Sequence, residues 1–262
     1  MHPMVTIALR AARDAAEAIA LSSDRLDRVQ VIDDSPAGFL TSMDQISDKS
    51  VLYHLEKAYP GHSFHSRVSG YKKGKGEDVV WLIDPLLGNR NFAAGYTQFA
   101  VSVACQVNGV VKHAVVVCPL SGEEFVASRG DGAQLNSRRI RVSDKHEFPS
   151  ALISLNPENL PTQTIIGFQS LLIDRGAQPR ISGCTALDML YCASNRVLGG
   201  WASSVDTTSL AAANLILHEA GGLMGSEAGD PDFTKGKELI FANPKFFKIL
   251  LKARRDSQPA EV

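Results

Sequence analysis

Asp78-Val79-Val80-Trp81-Leu82-Ile83-Asp84-Pro85-Leu86-Leu87-Gly88-Asn89-Arg90-Asn91-Phe92 is the stretch that decides the fold. Its apolar run over 79–83 has the length and composition of a buried strand. The strand is expected to end at Asp84, because Pro85 cannot donate to a sheet ladder. Gly88 permits a tight turn, after which Asn89 and the following amides open a helix. A carboxylate at a strand end, facing free amides at a helix start, is a natural place for a metal-bound phosphate. One carboxylate is too few for that task, and Leu87, the next residue positioned to help, is apolar.

On the N-terminal side, Val5, Leu9, Ala12, Ala16 and Ile19 recur at helical spacing, which predicts an amphipathic helix over 3–22. Residues 23–38 are polar and irregular, with one short strand expected at 29–32. Thr41-Ser42-Met43-Asp44 leads into a second helix with Ile46, Val51, Leu52 and Leu55 as its apolar face, ending before Pro60. Residues 63–69 read as a strand end and loop, and Lys72-Lys73-Gly74-Lys75-Gly76 as a flexible surface loop.

On the C-terminal side, strands are expected at 99–107, 110–117, 124–127 and 139–142. Asn108-Gly109 between two apolar runs signals a hairpin, and Gly130, Gly132 and Asn136 mark another turn. Residues 143–161 turn polar and carry Pro149 and Pro157, which places a soft boundary between halves 1–145 and 146–262 of one compact unit. Helices at 163–175 and 184–194 precede a strand at 197–202. A further helix begins within Ser204-Val205-Asp206-Thr207-Thr208-Ser209, runs to Glu219 and stops at Gly221-Gly222. A strand at 238–242 and a helix at 244–254 close an α/β (α+β) chain.

A chain of 262 residues can bury a large core. Its formal net charge of −1 argues against nucleic-acid binding by bulk electrostatics. Two local basic clusters, Arg138-Arg139-Ile140-Arg141 and Lys252-Ala253-Arg254-Arg255, read either as solvated faces or as contact patches for RNA or a partner. Cys105, Cys118, Cys184 and Cys192 lack Cys-x-x-Cys spacing and sit in apolar settings, so buried free thiols in a reducing compartment are expected. Arg10, Arg13 and Asp14 interrupt the N-terminal pattern, which is not that of a signal peptide, and no run is long enough to span a bilayer. A cytoplasmic location without membrane contact follows as the expectation.

Asp84-Pro85-Leu86-Leu87-Gly88-Asn89 resembles the Asp-Pro-apolar-Asp-Gly-Thr signature of the inositol monophosphatase family of Mg-dependent, Li-sensitive phosphatases. The resemblance runs through the chain. Met1-His2-Pro3-Met4, Ala11-Ala12-Arg13, Lys57-Ala58-Tyr59-Pro60-Gly61-His62, Phe99-Ala100-Val101-Ser102-Val103-Ala104 and Gly132-Ala133-Gln134-Leu135-Asn136 are similar to the bacterial SuhB branch. Leu187-Asp188 and Glu219-Ala220-Gly221-Gly222 continue it. The resemblance implies a layered αβαβα sandwich of the inositol monophosphatase and sugar phosphatase type, usually a homodimer.

It also implies a damaged site. The family's Gly-Glu-Glu loop, whose first Glu is a central metal ligand, aligns its two Glu positions with Arg67 and Val68. The signature's second Asp and its Thr fall at Leu87 and Asn89. The Trp-Asp pair of a later metal-binding motif falls at Thr208-Ser209, and a substrate-contacting Glu at Ala202. Asp84 and the Leu86 carbonyl remain as metal oxygens. Asp44 matches an aspartate linked to an accessory metal, and reads equally as a helix-terminal carboxylate near the positive end of the dipole. Asp206 reads as a displaced ligand or as an N-cap, and Asp206, Asp44 and Glu77 are the carboxylates within reach of the lost positions. Gly88, Asn89, Gly183, Cys184, Thr185 and Ala202 correspond to a vestigial phosphate and substrate contact set.

Phosphate monoester hydrolysis demands accelerations of up to roughly 10²¹-fold. In this family the resemblance assigns most of that to metals, and Mg²⁺ wants oxygen ligands in near-octahedral order. With carboxylates replaced at 67, 87 and 209, Arg67 is expected to pair with Asp84 in the emptied metal position, and no cofactor is expected. The resemblance then implies a catalytically degenerate SuhB-like protein with a binding role in transcription antitermination on ribosomal RNA operons, through NusA and RNA polymerase. Two alternatives stand beside it. One is an active Mg-dependent inositol-1-monophosphatase with unorthodox ligands. The other is a sensor that binds a sugar phosphate weakly, without cleaving it.

Overall fold

The computed structural model of the chain describes residues 2–35, 38–76, 78–203 and 206–257. Backbone contacts group them into two units, Met1–Arg139 with Thr207–Ile216, and Ile140–Asp206 with Leu217–Val262. The sequence places the division at 145/146; the contacts place it at 139/140 and group Thr207–Ile216 with the first unit.

The first unit begins with α1 (Pro3–Ser23), where Pro3 occupies a first-turn position that needs no amide and His2 Nδ1 accepts the Met4 amide. A hairpin of β1 (Val31–Ser35) and β2 (Gly38–Thr41) follows. The sequence reads a single strand at 29–32 there. β1 is mostly exposed on both faces, so no apolar alternation announces the pair. α2 (Ser42–Ala58) opens on a capping box between Thr41 and Asp44. Next come β3 (Ser63–Ser66), β4 (Gly70–Lys72), β5 (Val79–Leu87), α3 (Asn89–Ala93), β6 (Ala100–Val107), β7 (Val110–Cys118), β8 (Glu123–Ser128), β9 (Gly132–Leu135) and β10 (Arg138–Arg139). Eight of these strands form one sheet in the order β10-β9-β8-β7-β6-β5-β3-β4. Asn108 and Gly109, both at positive φ, make the expected tight turn between β6 and β7. β9 arises where only a turn is expected, and the strand expected at 139–142 is reduced to Arg138–Arg139. α1 and α2 pack on each other and on β5, β6 and β7, burying Ala12, Ile19, Leu55, Trp81, Val103 and Val115.

Two features of this sheet position the site. β3 runs parallel to β5 with Ser66 opposite Ile83, so the residues after each, Arg67 and Asp84, come side by side where β3 ends. Pro85 does not end β5. The register to β6 passes from Asp84↔Ser102 to Leu87↔Ala100, so Pro85 and Leu86 share the single residue Val101 as partner. This is a β-bulge, the interior strand position where a proline is tolerated. Side chains satisfy its carbonyls: Ser47 Oγ donates to Pro85 O at 2.6 Å and Arg67 Nη2 to Leu86 O at 3.2 Å.

The second unit contains β11 (Leu152–Asn156), α4 (Thr162–Asp174), β12 (Gln178–Arg180), α5 (Thr185–Ala193), β13 (Gly199–Ser203), the end of α6 (Thr207–Glu219), β14 (Leu223–Ser226), β15 (Glu238–Ala242) and α7 (Pro244–Asp256). Its sheet has the order β12-β11-β13-β15-β14. β11 lies inside the stretch read as a boundary loop, and β12 and β14 are also additions to the expected elements. Phe168, Trp201, Ile240, Phe246 and Leu250 fill the core. Inside it, Arg254 donates to both oxygens of Glu238 at 2.8 and 2.7 Å, and Trp201 Nε1 donates to Glu238 Oε2 at 2.6 Å.

All four cysteines are buried free thiols, and burial pushes those of Cys105 and Cys192 up to about 12. Among the described residues, no helix is long and apolar enough to cross a membrane.

Candidate functional site

The bulge of β5 aims the Asp84 carboxylate into the first unit, where the sequence gathers three more polar side chains around it. Arg67 arrives from the turn after β3, whose backbone is pinned by Arg67 N donating to Ile83 O at 3.0 Å. Asp44 arrives from the first turn of α2, and Ser209 from the first turn of α6. The Asp44 and Asp84 side chains are 0% and 3% exposed, and that of Arg67 is 22% exposed.

The bonds form a closed set. Arg67 Nε donates to Asp84 Oδ1 at 2.8 Å, and Arg67 Nη2 to Asp44 Oδ1 at 2.5 Å. Asn89 Nδ2 also donates to Asp44 Oδ1, at 3.1 Å, while bonding Phe39 O at 2.6 Å. Asp44 Oδ2 accepts from the amide and hydroxyl of Thr41 at 2.8 and 2.7 Å. Asp84 Oδ1 accepts the Leu86 amide at 3.2 Å, and Asp84 Oδ2 the Ser209 hydroxyl at 2.5 Å. Burial works against the charge on Arg67. The attraction of Asp84 and the hydrogen bond and charge of Asp44 outweigh it, and hold the guanidinium above its ordinary pKa. Asp44 takes the helix-terminal place, with one oxygen capping α2, and its other oxygen grips Arg67. Ser209→Ala is expected to cost about 1–3 kcal/mol in urea unfolding, because Asp84 Oδ2 loses that donor while staying buried.

This donor set does not fit a divalent cation. Asp84, Asp44 and the Leu86 carbonyl, the oxygens the sequence assigns to metal, all accept hydrogen bonds from one guanidinium. Leu87 is buried, and Val68 uses its amide to bond Ser66 Oγ at 3.0 Å. Among the described residues, no group of three or more His, Cys, Asp or Glu side chains is placed to hold a metal ion. Asp206 stands exposed immediately before α6, the position of an N-cap, and Glu77 lies outside the described residues. Gly88 is left-handed, at φ 69°, and α3 after it has only five residues, so few peptide dipoles stand behind its first amides.

Asp48 and Ser66 are contributors that the sequence does not single out. Ser66 Oγ donates to Asp48 Oδ1 at 2.5 Å and so fixes the turn that presents Arg67. Their signal is present, since Asp44, Ser47 and Asp48 share the buried face of α2 with Val51 and Leu55, and buried polar residues need partners.

Gly183, Cys184, Thr185 and Ala202 belong to the second unit. The Gly183 amide donates to Asn156 Oδ1 at 2.9 Å and the Cys184 amide to Ser182 Oγ at 3.1 Å, so side chains already engage both. Asp188 anchors this turn by accepting from Ser154, from Asn156 at 2.6 Å and from Ser182 at 2.7 Å. Burial raises its pKa despite those bonds. Ala202 is fully buried in β13. Thr185 lines a cavity of about 460 Å³ with Asn156, Glu158, Ser203 and Lys237.

Comparison with known proteins places this geometry in context. A profile described as the inositol monophosphatase family matches residues 1–259. "Nus factor SuhB" of Pseudomonas aeruginosa is 38% identical over 260 residues, covering 96% of this chain and 95% of that one. The crystal structure of extragenic suppressor protein suhB from Bartonella henselae superposes with a TM-score of 0.92 at 28% identity, covering 99% and 100% of the two chains. An inositol monophosphatase from Anabaena superposes with a TM-score of 0.81 at 27% identity, covering 98% and 97%. The mixed α/β fold with layered helices and sheets is shared with these structures.

Proposed function

The chain belongs to the inositol monophosphatase family, and from that premise we propose that it is a non-catalytic, SuhB-like member whose role is binding rather than phosphate hydrolysis. One observation carries the reading: the Arg67 guanidinium bonds Asp84, Asp44 and the Leu86 carbonyl together. A charge-assisted bond to a buried carboxylate is strong, and a cation of the protein's own holds the place where a divalent ion would be neutralised. Without that ion the family's route to an activated water is lost.

The role that remains is transcription antitermination in ribosomal RNA synthesis, with NusA or RNA polymerase as the partner, carried out in the cytoplasm by a homodimer. Similarity to proteins named Nus factor SuhB supports it, because partner binding needs a surface and not a metal. Purified chain given inositol 1-phosphate and Mg²⁺ is expected to release no phosphate above the uncatalysed background. Turnover that disappears in Asp84→Asn would restore the enzyme reading. Capture of NusA or RNA polymerase by the tagged chain tests the binding role itself.

The cavity of about 460 Å³ in the second unit, with Asn156, Thr185, Ser203 and Lys237 in its wall, favours a second reading, a sensor of a phosphorylated metabolite. A rise in melting temperature with a sugar phosphate, and none with inorganic phosphate, would support it.

A further inference from the structure

The cluster Lys252-Ala253-Arg254-Arg255 does not act as one patch. Arg254 turns inward to Glu238 and is 2% exposed. Lys252 and Arg255 turn outward and join Lys245 and Lys248, all four exposed. The spacing 245, 248, 252, 255 steps by three, four and three residues, which sets these cations on one face of α7. At a rise of about 1.5 Å per residue, the row is about 15 Å long.

The row is not neutralised within α7. The helix's only carboxylate is Asp256, which pairs with Arg175 at 3.6 Å. Arg255 Nη2 is braced on Ala228 O at 2.8 Å, which fixes one end of the row. Like charges three and four residues apart destabilise a helix, and Lys245 lies at the helix end where a cation is unfavourable. A merely solvated face would not need this arrangement in a chain whose formal net charge is −1. Phe246, Phe247, Leu250 and Ala253 are all buried, so the outer face offers charge without an aromatic or aliphatic anchor. Protein interfaces are depleted in lysine and rely on such anchors, whereas contact with a phosphate backbone needs only cations in a row.

We propose that the outer face of α7, formed by Lys245, Lys248, Lys252 and Arg255, binds the phosphate backbone of single-stranded RNA independently of sequence. This deepens the transcription-complex reading and rests on it for its biological setting. Its test does not, because it uses the purified full chain and synthetic RNA with no other factor present.

Fluorescence anisotropy with a labelled single-stranded RNA of mixed sequence is to be measured across a salt series. Engagement of four cations predicts a slope of log affinity against log salt of about −2.8. Lys248→Gln/Lys252→Gln keeps side-chain length and helix propensity, and a thermal melt checks its folding. It is expected to shorten the slope by about 1.4 and to weaken binding of every RNA sequence alike. Arg138→Gln/Arg141→Gln, in the other basic cluster, is expected to bind like the parent chain. The proposal is overturned if the parent chain does not bind RNA at low salt, or if the folded α7 variant keeps the full slope. It is also overturned if polyglutamate of matched charge competes as well as RNA does, which would point to an acidic protein partner instead.

Discussion

Arg67→Ala is expected to lower the stability of the first unit by about 3 kcal/mol, read as a fall in the urea midpoint. The physical reason is what stays behind. Asp44 and Asp84 remain buried with no cation between them, and removing one member of a buried ion pair leaves an uncompensated charge. The expected cost sits at the low end of the usual range because the guanidinium is 22% exposed and water can partly replace it. The same substitution is expected to create a dependence that the parent chain lacks. With the guanidinium gone, two carboxylates and the Leu86 carbonyl are open to a hard cation, so Mg²⁺ should raise the melting temperature of Arg67→Ala and leave the parent unchanged. A variant as stable as the parent without Mg²⁺ would mean that solvent neutralises the pair, and that Arg67 is not its counter-charge.

Arg254→Ala is expected to cost more, about 4 kcal/mol, and to unfold the second unit first. Its side chain is 2% exposed against 10% for Glu238, so little solvent is available to take its place. The guanidinium also lies 5.1 Å from the Trp201 ring centre and 5.9 Å from that of Phe168, so its loss opens a void as well as stranding a carboxylate. Arg254→Met with Glu238→Gln should recover most of the loss, because the filled volume returns and the amide can still accept from Trp201 Nε1. Equal destabilisation in the single and double variants would show that neither the void nor the stranded charge sets the cost, and that the lost Arg254–Glu238 hydrogen bonds do.

These two arginines illustrate how much was legible in the sequence. Arg67 could be placed because a motif with fixed flanks surrounds it and because its charge is opposite to what the position requires. Its pairing with Asp84 follows from one fact the sequence carries only faintly, the parallel register of β3 on β5. Arg254 reads in sequence as part of a basic cluster, since three of the four residues there are cations and only the fold shows which of the three turns inward. The long elements α1, α2, α6 and α7 were legible from their apolar spacing and their proline and glycine ends. The short strands β2, β11, β12 and β14 were not, because three to five residues give too little periodicity to separate strand from loop. In sequence Pro85 reads as a stop, because a proline breaks an even ladder. The bulge that absorbs it depends on Ser47 and Arg67 satisfying the carbonyls of Pro85 and Leu86, and those partners lie 38 and 19 residues away.

A guanidinium bridges Asp44 and Asp84, and in the proposed reading it stands in place of a divalent cation. Calorimetric titration of the purified chain with Mg²⁺ tests it most directly. No saturable heat is expected for the parent chain, and a measurable uptake is expected once Arg67 is replaced by alanine. Stoichiometric, tight uptake by the parent chain that is lost in Asp84→Asn would contradict it.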